Sequence, residues 1–331
     1  MNKKVLVIGD GGWGTAISLL LREKGFMVYV WGYDPEYTKR VNKVRANPRY
    51  LPDVPIPEGI IFTSDAGLAA DNIDYIFSVI PTRYLRKVLM VFKPYIKKQI
   101  VISCTKGMEQ GTFLLPSEVI KDVFGEHTEV AVLSGPSHAE EVARKKPASV
   151  VVAHKNQEIL KKIKDLLFSD HFRIYFSFDQ KGVELGGALK NIIAIAAGIC
   201  DGLNLGDNAK SALITRGLAE ISRFGEKMGG KRETFFGLSG LGDLITTCIS
   251  PFGRNRSVGE RLGKGEDLSL IVASMEMEAE GIWTTKAVYE KAKELGVEMP
   301  IVSSVYRILF EKQFPLDEVI NLMKRPAKQE Y

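Results

Sequence analysis

Residues 4–16 contain the pattern that most limits what this chain can fold into. Residues 5–8 (Val-Leu-Val-Ile) form an uninterrupted aliphatic run, which is typical of a strand buried on both faces of a parallel sheet. Gly9, Gly11 and Gly14 follow, and a helical pattern comes after them. At this spacing the first glycine permits a tight turn, the second lets a pyrophosphate approach the backbone, and the third lets helix pack on strand. Because strand, loop and helix agree, we predict a dinucleotide site rather than a plain glycine-rich turn.

The rest of the chain divides into two kinds of pattern. With 331 residues, two domains are expected. Strand-like runs alternate with helical intervals as far as residue 176, and helical patterns alone follow from Gly182. We therefore predict an α/β fold class: an N-terminal Rossmann-like doubly wound sheet in residues 1–178, then an all-α C-terminal domain in residues 179–331. Four prolines within residues 47–58 predict a loop there. The strand-like runs are residues 27–31, 75–80, 100–105, 130–133, 149–153 and 172–176.

Charge and composition exclude several classes of partner. The net charge of +5 comes from 45 basic and 40 acidic residues without a polybasic block, so we expect a small anionic ligand and no nucleic acid. The longest apolar stretch, residues 192–200, is too short to span a bilayer, so no membrane span is expected. No metal site is predicted, because the four histidines lack metal-ligand spacing. Three dispersed cysteines, Cys104, Cys200 and Cys248, favour reduced thiols and a cytoplasmic protein.

The end of the second predicted strand bears on the choice of dinucleotide. In folds that prefer NAD, an acid about 20 residues beyond the glycines usually accepts hydrogen bonds from the adenosine ribose. Here the strand ends in residues 31–33 (Trp-Gly-Tyr). Asp34 comes next, and we expect it to cap the helix that begins near Pro35. Without a carboxylate at the strand end, NADP acceptance is favoured. Candidate partners of the 2′-phosphate are Arg22, Lys39 and Arg40.

Lys190 is an anomaly within an apolar helical segment, residues 186–200. Its helical neighbours three and four positions away are glycine, isoleucine and alanine, so none of them can neutralise an ammonium group. Burial without a partner lowers the pKa of a lysine toward neutrality, as general acid–base catalysis near pH 7 requires. The alternative is a lysine that extends to solvent at the start of the helix. Asn191 beside it could bind a substrate hydroxyl or cap a turn.

Further polar residues follow a predicted strand or lie among glycines. Lys106 follows a strand on the same sheet edge as the glycine loop, where it could polarise a carbonyl or remain a solvated loop residue. Asp243 could orient a lysine or cap a helix. In the loop after Pro251, the Arg254-Asn255 pair suits a phosphate, although a solvated basic turn is the alternative.

Taken together, these motifs resemble the bacterial-type NAD(P)-dependent glycerol-3-phosphate dehydrogenases over nearly the whole chain. The matching stretches are residues 9–16 (Gly-Asp-Gly-Gly-Trp-Gly-Thr-Ala), 105–107 (Thr-Lys-Gly), 134–141 (Ser-Gly-Pro-Ser-His-Ala-Glu-Glu), 186–191 (Gly-Gly-Ala-Leu-Lys-Asn), 240–244 (Gly-Leu-Gly-Asp-Leu) and 254–256 (Arg-Asn-Arg). The resemblance implies interconversion of dihydroxyacetone phosphate and sn-glycerol 3-phosphate with NADP or NAD, in a cytoplasmic homodimer that supplies glycerol phosphate for phospholipid synthesis.

The resemblance, with the candidates above, also implies a set of site residues. The catalytic group is Lys190, as proton acceptor, with Lys106 and Asp243. The substrate group is Lys106, Gly135, Ser137, Lys190, Asn191, Asp243, Thr247, Gly253, Arg254 and Asn255. The cofactor group is Gly9, Gly11, Gly12, Trp13, Gly14, Tyr33, Lys106, Ala139, Arg254 and Glu280.

Three positions depart from the commoner pattern of that family. Gly12 replaces a frequent serine, and Gly253 stands where serine often precedes the Arg-Asn pair, so both can offer only backbone contacts. Glu278 stands where relatives tend to have valine, and no role is carried over to it.

Two other functions remain open at this point. A related hydroxyacid dehydrogenase would share the glycine loop and the lysine but would have less use for a phosphate-binding arginine. A non-enzymatic redox sensor would bind NAD(P) without turnover, and it would leave a buried lysine unexplained.

Overall fold

The structure, a computed structural model, describes residues 4–327, 329 and 330. The N-terminal half is built on an eight-stranded sheet, and a separate two-stranded hairpin lies beside it. The strands are β1 (Lys4–Ile8), β2 (Met27–Trp31), β3 (Ala46–Asn47), β4 (Leu51–Pro55), β5 (Ile60–Thr63), β6 (Tyr75–Ser78), β7 (Ile100–Ser103), β8 (Val130–Ser134), β9 (Ala148–Ala153) and β10 (Phe172–Ser177).

The order of the strands places a ligand crevice directly after β1. The sheet runs β10-β9-β8-β7-β6-β1-β2-β5, and its neighbouring strands are parallel except for β8 and β9. The chain leaves β1 toward β2 on one side and later returns to β6 on the other. Such a switch point opens a crevice at the carboxyl ends of the strands, and the glycine loop follows β1 there.

Helices cover both faces of the sheet. Val5 and Val7 of β1 face one apolar core, whereas Leu6 and Ile8 face the other, because successive side chains of a strand point to opposite faces. Helices α1 and α7 pack on the first face, and α3, α4 and α5 pack on the second. The helices are α1 (Gly12–Glu23), α2 (Pro35–Val44), α3 (Ala66–Ala69), α4 (Thr82–Phe92), α5 (Pro116–Phe124), α6 (Ala139–Ala143) and α7 (Gln157–Leu167).

The loop predicted over residues 47–58 is wrong in its first part, because β3 and β4 pair there as an antiparallel hairpin. The prolines are tolerated because this hairpin is only two strands wide, so a missing N–H need not break a ladder. Asn47 anchors the hairpin: its buried amide donates to the Asp10 carbonyl and to Thr15 Oγ1, both at 2.8 Å. Strand β5, at the sheet edge, was not predicted either.

From Gln180 onward the described chain is helical, which confirms the predicted all-α C-terminal domain. Residue 178, the expected division, lies between β10 and α8. The elements are α8 (Gln180–Gly202), α9 (Gly206–Lys227), α10 (Arg232–Phe235), a π-helical turn (Leu238–Gly242), α11 (Asp243–Ile249), α12 (Arg254–Gly263), α13 (Leu268–Ala273), α14 (Glu280–Leu295), α15 (Pro300–Phe310) and α16 (Pro315–Met323).

Helix α8 is the core of this domain. The apolar stretch 192–200 belongs to this 23-residue helix, which by length and composition could cross a membrane, but the apolar window is wholly buried inside the protein. The bent pair formed by residues 232–249 and 254–263 passes the same test when taken together. Burial of α8 on all sides is the ordinary behaviour of a core helix.

Helices α8 and α12 meet backbone to backbone through two glycines on each helix. A Cβ atom added to Gly198 would lie 1.9 Å from the Arg256 carbonyl oxygen, and one added to Gly259 would lie 1.9 Å from the Ile195 carbonyl oxygen. Gly202 and Gly263, one turn further along, are also crowded: a Cβ there would lie 2.2 Å from the Glu260 carbonyl oxygen and 2.7 Å from the Ile199 carbonyl oxygen, respectively. Only glycine permits this approach, so the crossing sets the spacing between Lys190 on α8 and the start of α12.

A buried carboxylate joins the two domains. Glu184 on α8 accepts hydrogen bonds from the Ser117 backbone N–H at 2.8 Å and from Ser117 Oγ at 2.6 Å. Ser117 belongs to the first turn of α5, whose free N–H groups need acceptors. Glu184 thus holds α8 against the sheet domain.

Substitution of Gly198 by alanine should separate the two helices. Because the new methyl group would overlap the Arg256 carbonyl, we expect Gly198→Ala to lower the free energy of unfolding by about 1–3 kcal/mol, measured by urea unfolding with circular dichroism. Gly67→Ala in α3 is the control: the nearest atom there is a side-chain oxygen at 3.3 Å, so stability should stay within about 0.5 kcal/mol. Equal effects of the two substitutions would contradict the packing argument.

Candidate active site

The glycine loop has the geometry that a dinucleotide requires. Gly9 has a φ of +122° and lies against the end of β6, where a Cβ would approach the Val79 carbonyl oxygen to 2.6 Å. A Cβ on Gly14 would lie 1.9 Å from the Gly9 carbonyl oxygen, so this glycine lets α1 pack on the loop. Around Gly11, in contrast, a Cβ would meet nothing within 4 Å. The backbone is therefore closely packed at Gly9 and Gly14, whereas the space beside Gly11 is empty.

The start of α1 leaves its N–H groups available for an anion. Gly11 is the N-cap, no side chain caps the helix, and its first turn contains no acidic residue. Free N–H groups at a helix N-terminus favour phosphate. Together with the open space at Gly11, this arrangement fits the pyrophosphate of a dinucleotide.

The space beside Gly12 is too small for a side chain. A Cβ at this position would lie 2.6 Å from the Tyr50 carbonyl oxygen of the β3–β4 hairpin and 3.5 Å from Ala139 Cβ. Trp13, next in the chain, is half-buried, and its ring centroid lies 6.4 Å from that of Phe172. Tyr33 is exposed just beyond β2. The cofactor contacts predicted for these residues remain predictions.

Three charged side chains from distant parts of the chain meet beyond the sheet edge. Lys190 Nζ donates to Asp243 Oδ1 and, at 2.7 Å, to Thr247 Oγ1. Lys106, three residues beyond the end of β7, donates to Asp243 Oδ2 at 2.8 Å. Lys190 is only 5% exposed, so it does not extend to solvent. No carboxylate on α8 lies beside Lys190, and its carboxylate partner, Asp243, belongs to α11.

The two lysines of this cluster differ in the direction in which their pKa values are shifted. Burial lowers the pKa of Lys190 to about 7; Asp243 opposes this shift and Lys106 adds to it. Burial also lowers the pKa of Lys106, but Asp243 outweighs it and leaves that pKa above its ordinary value. Burial would raise the pKa of Asp243, yet the two lysines hold it below its ordinary value. One carboxylate thus faces two cations, and Lys190 is the one that can lose its proton near neutral pH.

Close backbone packing brings Lys106 to Lys190. A Cβ added to Gly187, one turn before Lys190, would lie 2.5 Å from Ser134 Oγ and 3.7 Å from Lys106 Cγ. The Lys106 carbonyl oxygen accepts a hydrogen bond from Thr82 Oγ1 at 3.0 Å. Gly187 therefore lets α8 pack closely against Ser134, at the end of β8, and against Lys106.

Arg254 and Asn255 do not lie in a loop, as predicted, but begin α12. Gly253 is the N-cap, and neither a capping side chain nor an acid occupies the first turn. Arg254 is exposed and donates through Nη1 to the Glu278 carbonyl oxygen at 3.1 Å. Asn255 is buried, and its Oδ1 accepts from the Gly281 N–H at 2.9 Å, which leaves its NH₂ group free to donate. The prediction failed because the helix starts directly after a glycine, without the usual capping residue.

Glu280 connects the helical domain to the start of α4. Its Oε1 accepts from the Thr82 N–H at 3.3 Å. Burial raises the pKa of Glu280 to about 7, opposed by Arg254 and by the Thr82 N–H. Glu278, which was left without a role, lies 3.7 Å from Arg83. These contacts place both acids beside Arg254.

The segment after β8 lies close to the lysine cluster. Ser137 donates to the Gly135 carbonyl oxygen at 3.0 Å. His138 was not predicted as a site residue, although burial and then Lys190 lower its pKa, and its buried Nε2 has no hydrogen-bond partner among the described residues. Only the motif of residues 134–141 could have indicated it. Asn191 is buried beside Lys190, with its amide unpaired in the described structure.

The glycine loop follows β1 and Lys106 follows β7, so a dinucleotide loop and a cluster with a titrating lysine lie at the same edge of the sheet. That combination defines an NAD(P)-dependent oxidoreductase. Sequence models of the NAD-dependent glycerol-3-phosphate dehydrogenase N-terminus and C-terminus match residues 4–160 and 179–320. The chain belongs to this family, and it is an NAD(P)-dependent glycerol-3-phosphate dehydrogenase.

Individual relatives agree with this family. A glycerol-3-phosphate dehydrogenase [NAD(P)+] of Carboxydothermus hydrogenoformans is 45% identical, over 99% of this chain and 98% of the relative. One from Geobacillus thermodenitrificans is 46% identical, over 99% and 96%. The crystal structure of the Coxiella burnetii glycerol-3-phosphate dehydrogenase has a TM-score of 0.94 at 38% identity and covers 98% of this chain and 99% of that one. The two alternative functions are thereby set aside.

Two neighbouring glycines should respond differently to a side chain. Because Gly11 faces open space, we expect Gly11→Ala to leave the unfolding temperature unchanged while weakening NAD(P) binding about tenfold or more, as the methyl group would occupy the place of the pyrophosphate. Gly12→Ser should instead cost about 1–3 kcal/mol of stability, because its Cβ meets the Tyr50 carbonyl. Calorimetric titration and thermal unfolding measure the two effects. Destabilisation by Gly11→Ala would contradict this geometry.

Proposed function

We propose that Lys190 is the proton donor and acceptor in the interconversion of dihydroxyacetone phosphate and sn-glycerol 3-phosphate. The observation that carries this proposal is the burial of Lys190 against a carboxylate that it shares with Lys106. The nicotinamide, when bound, supplies or accepts the hydride at C2 of the three-carbon unit. In the reducing direction Lys190 gives its proton to the carbonyl oxygen, and in the oxidising direction it removes the hydroxyl proton.

Neighbouring residues hold Lys190 in place for this step. Asp243 and Thr247 each accept a hydrogen bond from its Nζ, so the ammonium group is oriented before substrate arrives. Lys106 is more accessible than Lys190, and we assign it to the polarisation of the carbonyl and to contact with the cofactor. The unpaired amide of Asn191 suits a substrate hydroxyl.

The start of α12 is proposed to hold the substrate phosphate. The guanidinium of Arg254, the free NH₂ of Asn255 and the uncapped N–H groups of the helix all favour an oxyanion. Gly253 contributes through its backbone, since a Cβ there would approach the Thr247 carbonyl oxygen to 2.9 Å. Binding energy from the phosphate orients the reacting carbon toward Lys190. Gly135 and Ser137 complete the proposed substrate group.

The nucleotide is assigned to the sheet domain and the substrate mainly to the helical one. Residues 1–178 would bind the dinucleotide, and residues 179–331 would supply Lys190 and the phosphate site. The proposed cofactor contacts are Gly9, Gly11, Gly12, Trp13, Gly14, Tyr33, Lys106, Ala139, Arg254 and Glu280.

We further propose that the protein is a cytoplasmic homodimer that supplies glycerol phosphate for phospholipid synthesis. The three cysteines are free and buried, which fits a reducing compartment. Large apolar side chains are exposed on the helical domain, among them Leu270, Phe314 and Met323, and a second copy could cover them. Light scattering of the purified protein measures the oligomeric state.

Replacement of Lys190 should remove turnover but not nucleotide binding. We expect Lys190→Ala to lower kcat by about 10²–10⁴-fold, the usual contribution of a general acid or base, with NADH affinity within about threefold of wild type. Lys181→Ala is the matched control, because Lys181 lies on the same helix but is partly exposed and pairs with Glu118. Near-normal turnover in Lys190→Ala would overturn the assignment.

The rates of reduction and of oxidation should change with pH in opposite directions. With a Lys190 pKa of about 7, reduction needs the protonated amine and should slow as pH rises through about 7, whereas oxidation should accelerate over the same range. Asp243→Asn removes the carboxylate that raises this pKa, so both profiles should move to lower pH. His138→Gln should leave both midpoints in place. A shift to higher pH in Asp243→Asn would contradict the electrostatic argument.

A further inference from the structure

Gly32, the residue directly after β2, has no side chain, and another residue occupies the space that one would take. A Cβ built on Gly32 would lie 2.2 Å from Asp10 Oδ2 and 2.5 Å from Asp10 Cγ. The carboxylate of the glycine loop thus fills the space into which a side chain of residue 32 would extend. The two segments are tied together, since the Gly9 N–H donates to the Trp31 carbonyl oxygen at 2.9 Å.

Asp10 is held in this position from the side of the hairpin. Its carbonyl oxygen accepts from the Asn47 amide at 2.8 Å, and Asn47 is fully buried. Tyr37 in α2 donates its hydroxyl to Asn47 Oδ1 at 2.5 Å. Loop, hairpin and α2 therefore fix the backbone from which the Asp10 carboxylate extends.

The Asp10 residue is only 8% exposed, but its carboxylate has little competition for a hydrogen bond from a ligand. Within the described part of the chain, no lysine or arginine lies at ion-pair distance from it, and the only hydrogen bond to it comes from its own backbone. Burial raises the pKa of Asp10 to about 6; Asp34 adds to this shift, and Arg49 lowers it. At pH 7 and above the group is thus mostly ionised.

We propose that Asp10 determines the preference for NAD over NADP. In NAD-selective folds an acid at the end of the second strand accepts hydrogen bonds from the adenosine ribose hydroxyls. Asp10 supplies that carboxylate to the same place from the neighbouring loop, where it would repel a 2′-phosphate. The inference rests on the glycine loop being the nucleotide site, as proposed above. It reverses the NADP preference expected from residues 31–33 alone.

Arg49 is the strongest argument for the opposite preference. Its guanidinium is near enough to influence the pKa of Asp10, and it lies over the Tyr50 ring at 5.1 Å. A cation there could receive a 2′-phosphate. Asp10 is nevertheless the buried and geometrically fixed member of the pair, whereas Arg49 is exposed.

Binding measurements without substrate test the proposal. The dissociation constants of NAD⁺ and NADP⁺ are measured by calorimetry at pH 8 for wild type, Asp10→Asn and Asp10→Ala. We expect wild type to bind NAD⁺ about tenfold or more tightly than NADP⁺, and both variants to move this ratio at least about tenfold toward NADP⁺. Asp34→Asn is the control, because it removes a charge at the same strand end yet keeps an N-cap residue. Its ratio should stay within about twofold of wild type.

Several outcomes would overturn the proposal. Preference of wild type for NADP⁺, or an unchanged ratio in both Asp10 variants with normal unfolding temperatures, would refute the role of Asp10 alone. An equal shift in Asp34→Asn would show that general charge, not Asp10, is responsible. Failure of wild type to bind either nucleotide would defeat the nucleotide site itself and this inference with it.

Discussion

A buried lysine, Lys190, and a partly buried one, Lys106, share one carboxylate, and the placement of most other elements follows from that contact. Asp243 can neutralise one cation fully but not two. Because Lys190 is the more deeply buried lysine, the desolvation of its ammonium form costs more free energy. Three segments bring these groups together. Lys106 lies in the segment after β7, and Lys190 lies on α8 one turn after Gly187. Asp243 is the first residue of α11. The fold thus positions one titrating amine beside a dinucleotide loop.

The sequence predicted the parts of this arrangement that depend on neighbouring residues. The glycine spacing after a buried run indicated the dinucleotide loop, and an isolated lysine in an apolar helix indicated a perturbed pKa. Asp34 caps α2 as expected, accepting hydrogen bonds from two N–H groups. The glycine loop and the Asp34 cap involve residues close together in the chain, where spacing and geometry are closely linked. For Lys190 the sequence indicated only the burial, because the partners Asp243 and Lys106 come from distant segments.

What could not be predicted depends on residues far apart in the chain. Gly32 was interpreted as a missing acid because its strand was considered alone, whereas the carboxylate against it comes from residue 10. The glycines of α8 and α12 carried no recognisable pattern until the two helices were seen to cross. The same applies to Glu184, which the sequence analysis did not single out and which accepts two hydrogen bonds from Ser117 of α5.

The glycine crossing of α8 and α12 has a consequence for how the enzyme can change. Backbone already touches backbone there, so no substitution can bring the helices closer, while any added side chain can only push them apart. The distance from the amine of Lys190 to the start of α12 therefore has a lower limit but no equally strict upper one. On the proposed assignment of the substrate phosphate to the start of α12, this crossing sets a minimum distance between the reacting carbon and the phosphate. On that assignment, a larger residue at one of these glycines would lengthen this distance, and no substitution there would shorten it.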